Sequence, residues 1–178
     1  LYKHFSAYAP ASGSLVPGVA EVIRFRIDAV EDDVIFTSGT NNIRFKISQS
    51  GGASTTARNA DLYEVGKSAA LQTVVINGLQ TEPTANSSTT INFETFGSTI
   101  SKGTVTSPSW KEYYVNVDLA DYATTGETFR LAIDETVVTN TLNQQSPTHG
   151  FSWGDGVTVN VTSTVTTGLP LTGNTLTR

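Results

Sequence analysis

A chain of 178 residues, 38% hydrophobic and only 15% charged, suits one domain with a sizeable core and is too apolar for a disordered segment. A net charge of −5, with 11 basic residues scattered along the chain, argues against nucleic acid, which needs a concentrated basic face. The absence of cysteine excludes disulfides, thiolate metal sites and a Cys nucleophile, and no apolar run reaches the length of a membrane-spanning helix.

In chain order, strands are predicted near 2–8, 19–29, 33–37, 41–48, 60–65, 72–77, 89–96, 99–106, 110–119, 127–136, 150–153 and 156–167. The primary signal is strict period two: Ile23-Arg24-Phe25-Arg26-Ile27, Ile43-Arg44-Phe45-Lys46-Ile47 and Val157-Thr158-Val159-Asn160-Val161. Such alternation belongs to strands with one dry and one wet face. All six prolines fall between these runs, where no ladder donor is needed. Gly51-Gly52 opens a loop, with a short helical turn expected through Ala57–Ala60. Thr81–Ser88 and Asn140–His149 are the other polar loops.

No crossover helix is expected, which argues against parallel βαβ topology, and the strands are expected to pair antiparallel. The predicted fold is all-β: an antiparallel two-sheet β-sandwich, Ig-like or jelly-roll, with extended terminal arms. Residues 1–18 form an N-terminal arm or first strand, 19–167 the sandwich, and 168–178 a C-terminal tail. Phe25, Ile27, Phe45, Ile47, Val115, Val117, Leu131 and Ile133 should share one core. Arg24, Arg26, Arg44, Lys46, Asn116 and Arg130 should face out, because burying unpaired charge is costly.

Few residues carry a chemical signal. Asp28, Glu31, Asp32 and Asp33 crowd one turn, where converging oxygens could hold calcium; a solvated acidic turn is the commoner reading, and no other metal or cofactor is expected. Trp110, Tyr113, Tyr114 and Trp153 could stack on sugar rings or pack; Tyr113 shares the apolar phase of its strand, Tyr114 faces the other way, and Trp110 follows Pro108 in a loop. A triad can be drawn through His149 and Asp155, with His4 the only other histidine, but no nucleophile elbow accompanies it and no enzyme is expected. Asn86 and Asn160 begin N-x-S/T sequons and are candidate glycan-attachment sites. Leu169-Pro170-Leu171-Thr172-Gly173 spells a sortase pattern without the hydrophobic span and basic tail of a sortase substrate, and is read as an extended tail. Leu1, Tyr2, Phe5 and Tyr8, with Leu169 and Leu171, are candidate assembly residues, since an apolar arm can add to a neighbour's open sheet edge.

Threonine and serine number 28 and 17, about a quarter of the chain, and such a wet, charge-poor surface is more usual outside the cell. The missing methionine and the start at Leu1 suggest a processed product or an excised part of something longer. Gly126-Glu127-Thr128 before a strand, Phe151-Ser152-Trp153-Gly154-Asp155, the Thr-rich run after it and Gly168-Leu169-Pro170, together with the strand Arg24–Ile27, resemble the β-sandwich modules of large surface proteins from uncultivated, small-genome bacteria. The resemblance covers the last third and one strand. It implies a secreted or surface-displayed structural module with no catalytic residues to carry over. The expected function is a subunit of a cell-surface layer or extracellular filament whose main partner is itself. The alternative is an extracellular module that binds a glycan or another surface ligand.

Overall fold

The computed structural model describes residues 3–8, 14–37, 43–51, 57–76, 90–94, 103–133, 153–154 and 166–178, with the backbone alone for 3–8 and 166–167. Every element among them is a β-strand: β1 (Lys3–Tyr8), β2 (Val19–Ala29), β3 (Val34–Ile35), β4 (Ile43–Ser50), β5 (Arg58–Glu64), β6 (Gln72–Ile76), β7 (Thr90–Phe93), β8 (Thr104–Val105), β9 (Ser109–Asp118), β10 (Thr128–Ile133), β11 (Thr166–Thr167), β12 (Leu171–Thr172) and β13 (Leu176–Thr177). The all-β expectation holds. The helical turn expected at Ala57–Ala60 does not form; β5 begins at Arg58, because Ala60 and Leu62 are drawn to the core in strand phase.

A six-stranded sheet has the order β11-β1-β2-β9-β5-β6, and a second runs β12-β10-β4-β7, with β13 also on β10. A short pair, β3-β8, makes a third. Among the described residues, paired strands are antiparallel except β1 and β11, which run parallel, and the isolated bridge from Ser14 to Thr177 is parallel as well. That exception was not expected, and it arises because two segments distant in sequence run the same way.

The long strands alternate as their sequences require. Phe25, Ile27, Phe45, Val115, Val117, Leu131 and Ile133 are fully buried and Ile47 nearly so, all in one apolar cluster that draws on both large sheets. Aromatic rings join the sheets: Tyr113 stacks on Phe25 (centroids 5.5 Å), Phe25 meets Phe45 edge-on (5.7 Å), and Phe45 meets Phe93 (6.1 Å). Arg24, Arg26, Arg44, Asn116 and Arg130 lie on the opposite faces, half-buried, and Lys46 is exposed.

The C-terminal segment is not a loose tail. Leu171 and Leu176 are each 2% exposed within the core. Arg178 N donates to Glu127 O, Gly126 N to Arg178 O and Leu15 N to Thr177 O. Two buried leucines and paired backbone groups hold it against β10.

Candidate functional site

The chemically richest surface is the outer face of β2, β9 and β5. Its geometry begins with a β-bulge. Strict period two from Phe25 and Ile23 would turn Glu21 into the core, leaving a carboxylate there without water. The register instead shifts between Glu21 and Ile23: Glu21 pairs with Asn116 and Ile23 with Val115. Val22 is the extra residue, and it is buried together with Ile23. One inserted residue so resets the phase and brings Glu21 to the outer face.

There Glu21 receives Arg24 through two bonds, from Nε at 2.9 Å and Nη2 at 2.8 Å. The bond to Glu21 raises the Arg24 pKa further, so the guanidinium is charged at any working pH. Register places Arg24, Tyr114 and Tyr63 in one row across three strands. The guanidinium carbon lies 5.4 Å from the Tyr114 centroid, and Tyr63 stacks on Tyr114 at 4.9 Å with an interplanar angle of 6°. Desolvation, with the nearby Asp61 carboxylate adding to it, raises the Tyr63 pKa, so this phenol stays neutral. One step along, Arg26 pairs with Asp28 at 3.0 Å and lies 5.2 Å from the Trp110 centroid.

This arrangement braces the sheet more than it offers open ring faces. Tyr114 is covered by Arg24 on one side and Tyr63 on the other, so neither face is left for a sugar. Tyr113 and Trp153 are buried and drop out as stacking platforms. Trp110 alone is half-exposed, at 52%; it lies on β9, opposite Asp28, rather than in the loop expected after Pro108. Tyr63, which the sequence reading passed over, completes the row. Its one signal was a place in the polar phase beside Leu62.

At the far end of the same sheet Arg58 Nε and Nη2 reach Asp121 at 2.8 and 2.5 Å, and Nη1 reaches Asp118 at 3.4 Å. The bonds to Asp121 raise the Arg58 pKa. Two carboxylates share one guanidinium, so the group carries one net negative charge.

The four acids proposed for calcium do not assemble. Asp28 faces Arg26, and Asp33 accepts a hydrogen bond from Ser107 N at 2.8 Å. Among the described residues no group of three acids and histidines is placed to hold a metal ion. The reason is strand phase: Asp28 belongs to the outer face of β2, while Asp33 turns toward the segment before Pro108.

Of the assembly residues, Phe5 and Tyr8 lie on β1 opposite Ile27 and Arg24 of the same chain. Leu171 is in the core and Leu169 packs against it, so neither is presented to a neighbour in this arrangement. The sortase-like pattern is likewise sealed: Leu171 and Thr172 pair with Ile133 and Ala132, and Gly173 N donates to Leu131 O at 2.9 Å. His4 lies opposite Asp28 in register. Leu1, Tyr2, Asn86, His149, Asp155 and Asn160 fall outside the described residues.

No known protein family, curated protein or solved structure matches this chain.

Proposed function

We propose that this chain is an extracellular structural module, an Ig-like β-sandwich secreted to a cell surface and built into a layer or filament by contacts between strands of neighbouring copies. The observation that carries the reading is the course of the two end segments. Lys3↔Thr166, His4↔Thr167 and Ser14↔Thr177 all pair in parallel, with one constant offset. Lys3 therefore lies by the end of β2 that holds Asp28 and Trp110. Arg178 lies by the opposite end, with Gly126 and the start of β2. The chain crosses from pole to pole over the length of β2, on the order of 35 Å for eleven residues at a strand rise of about 3.3 Å. A strand course that spans both poles supports contacts between neighbouring copies at either pole.

Sheet order supports the sandwich. The orders β1-β2-β9-β5 and β13-β10-β4 correspond to the A-B-E-D and G-F-C sheets of an immunoglobulin-type fold, with β6 and β7 added at the edges. Tyr122, buried between β9 and β10, occupies the corner where that fold commonly keeps a tyrosine. Here its hydroxyl donates to Gln49 Oε1 rather than to the backbone.

Electron microscopy of purified protein, together with its sedimentation, tests the proposal. Ordered layers or filaments, or species far above 18.9 kDa, are expected. A monomer at all concentrations that is retained on immobilised glycans would overturn it in favour of the ligand-binding alternative, with Trp110 as the first residue to test.

A further inference from the structure

The six-stranded sheet ends at β6, and no described strand lies along its outer side. Open edges present unpaired N–H and C=O groups, and soluble proteins ordinarily blunt them with lysine, proline or a bulge. β6 reads Gln72-Thr73-Val74-Val75-Ile76, with no charge and no proline, and its pairing to β5 runs without a register shift. Val75 is 57% exposed on the outer face, while Ile76 is buried and Val74 packs against the core. β7 comes near β6 but belongs to the other sheet. The end strand of that second sheet is guarded differently: Glu94 follows it directly and accepts a bond from Asn92 Nδ2.

We propose that the β6 edge docks the β6 edge of a second copy of this chain, antiparallel and about a two-fold axis. The inference deepens the reading of a self-assembling module and rests on it. Charge decides the orientation. The end of β6 at Gln72 follows the turn that carries exposed Lys67, whereas the end at Ile76 pairs with Arg58, whose two carboxylate partners leave one net negative charge. Antiparallel docking brings Lys67 of each copy toward the acidic group of the other, twice by symmetry. Parallel docking would set lysine beside lysine. A two-fold pairing of equivalent surfaces is self-complementary and closes, so it joins two chains side by side; a layer or filament needs the pole-to-pole contact in addition.

Self-association measured by sedimentation over a concentration series, with amide hydrogen exchange read on the same samples, tests the edge. Val75→Lys should raise the concentration for half-association at least tenfold, and Thr73→Lys should do the same. Val16→Lys, a control at a valine 63% exposed away from this edge, should leave it unchanged. Protection of amides 72–76 should grow with concentration. Circular dichroism of each variant confirms the fold. If the edge variants behave like Val16→Lys, or if protection grows elsewhere and not at 72–76, the edge proposal is overturned while self-assembly stands. A chain that stays monomeric throughout overturns both.

Discussion

Phe25 of β2 and Phe45 of β4 meet edge-on across the two large sheets, with ring centroids 5.7 Å apart at 62°. Neither ring reaches solvent. The two strands do not pair with each other, so this contact joins the layers by side chains alone. Phe45→Ala should cost about 3–5 kcal/mol, the range for truncating a buried phenylalanine. A double-mutant cycle with Phe25→Leu should give a coupling of about 0.5–1.5 kcal/mol. Urea unfolding of the four proteins measures both, and additive losses would show that the rings pack independently.

Two buried tyrosines differ in what their hydroxyls do. Tyr122 donates to Gln49 Oε1, tying the β9–β10 connection to β4. Tyr113 is buried with no hydrogen-bond partner for its hydroxyl among the described residues. Tyr122→Phe leaves the Gln49 carbonyl without its donor and should cost about 1–3 kcal/mol. Tyr113→Phe removes an unsatisfied group at nearly constant shape and should be neutral or stabilising by up to about 1 kcal/mol. Chemical denaturation of the pair separates them, and the opposite order would be decisive against this account.

Both phenols also make stability depend on pH. Burial raises each pKa above the ordinary value, with nearby carboxylates adding to the effect. In the unfolded chain they ionise near pH 10. Above that pH the unfolded state binds fewer protons than the native state, so stability falls as pH rises, by about 1.4 kcal/mol per unit for each tyrosine. Stability compared between pH 9 and 11 should drop less in Tyr113→Phe and least in the double Phe variant.

How far the sequence could be read depended on whether its signal was local. The phase of β2 and β9 was legible because period two, backed by the cost of burying arginine, has one answer at Phe25, Ile27, Val115 and Val117. The turn at Ala57–Ala60 was misread, since two alanines flanking Arg58 and Asn59 carry no periodic signal until Leu62. The two-residue strands β12 and β13 are too short to show a period and lie in the segment read as a tail, whereas β3 and β8 fall inside the longer strands expected at 33–37 and 99–106. The parallel pairing of Lys3 with Thr166 depends on the whole topology and leaves no mark on either segment. In the outer row, Arg24 and Tyr114 were placed on wet faces, but their stacking with Tyr63 is a matter of register between strands far apart in sequence. The acids after Asp28 looked like a cluster because they are neighbours in sequence, and strand phase parts Asp28 from Asp33.

The closing segment should behave as core. Leu176→Ala should cost about 2–5 kcal/mol, since its side chain is buried beside the start of β10. The Thr172–Gly173 bond should resist a sortase-type transpeptidase in the folded protein, because Gly173 N is held by Leu131 O. An added Cβ there would lie 3.0 Å from that same oxygen, so the segment has no slack at this point. Mass spectrometry after incubation with the enzyme reads the outcome: an intact native chain and a chain cut only under denaturing conditions. Cleavage of the native protein at a rate matching the free peptide would mean that β12 detaches readily.

The bulge at Val22 gives the sharpest test of how this sheet was built. Glu21→Ala alone should cost under about 1 kcal/mol, because the Glu21–Arg24 pair is partly exposed, at 29% and 36% of side-chain area, and such pairs are worth little. Deleting Val22 joins Glu21 directly to Ile23, so their partners Asn116 and Val115 become consecutive steps of an unbroken ladder and Glu21 stays on the outer face. What is lost is the buried Val22 side chain, about 1.5–3 kcal/mol. In the deletion background Glu21→Ala should keep its small cost. Thermal and urea unfolding of the parent, both single variants and the double variant supply the cycle. A Glu21→Ala that stabilises the deletion background would mean that the shortened strand slips and turns Glu21 inward.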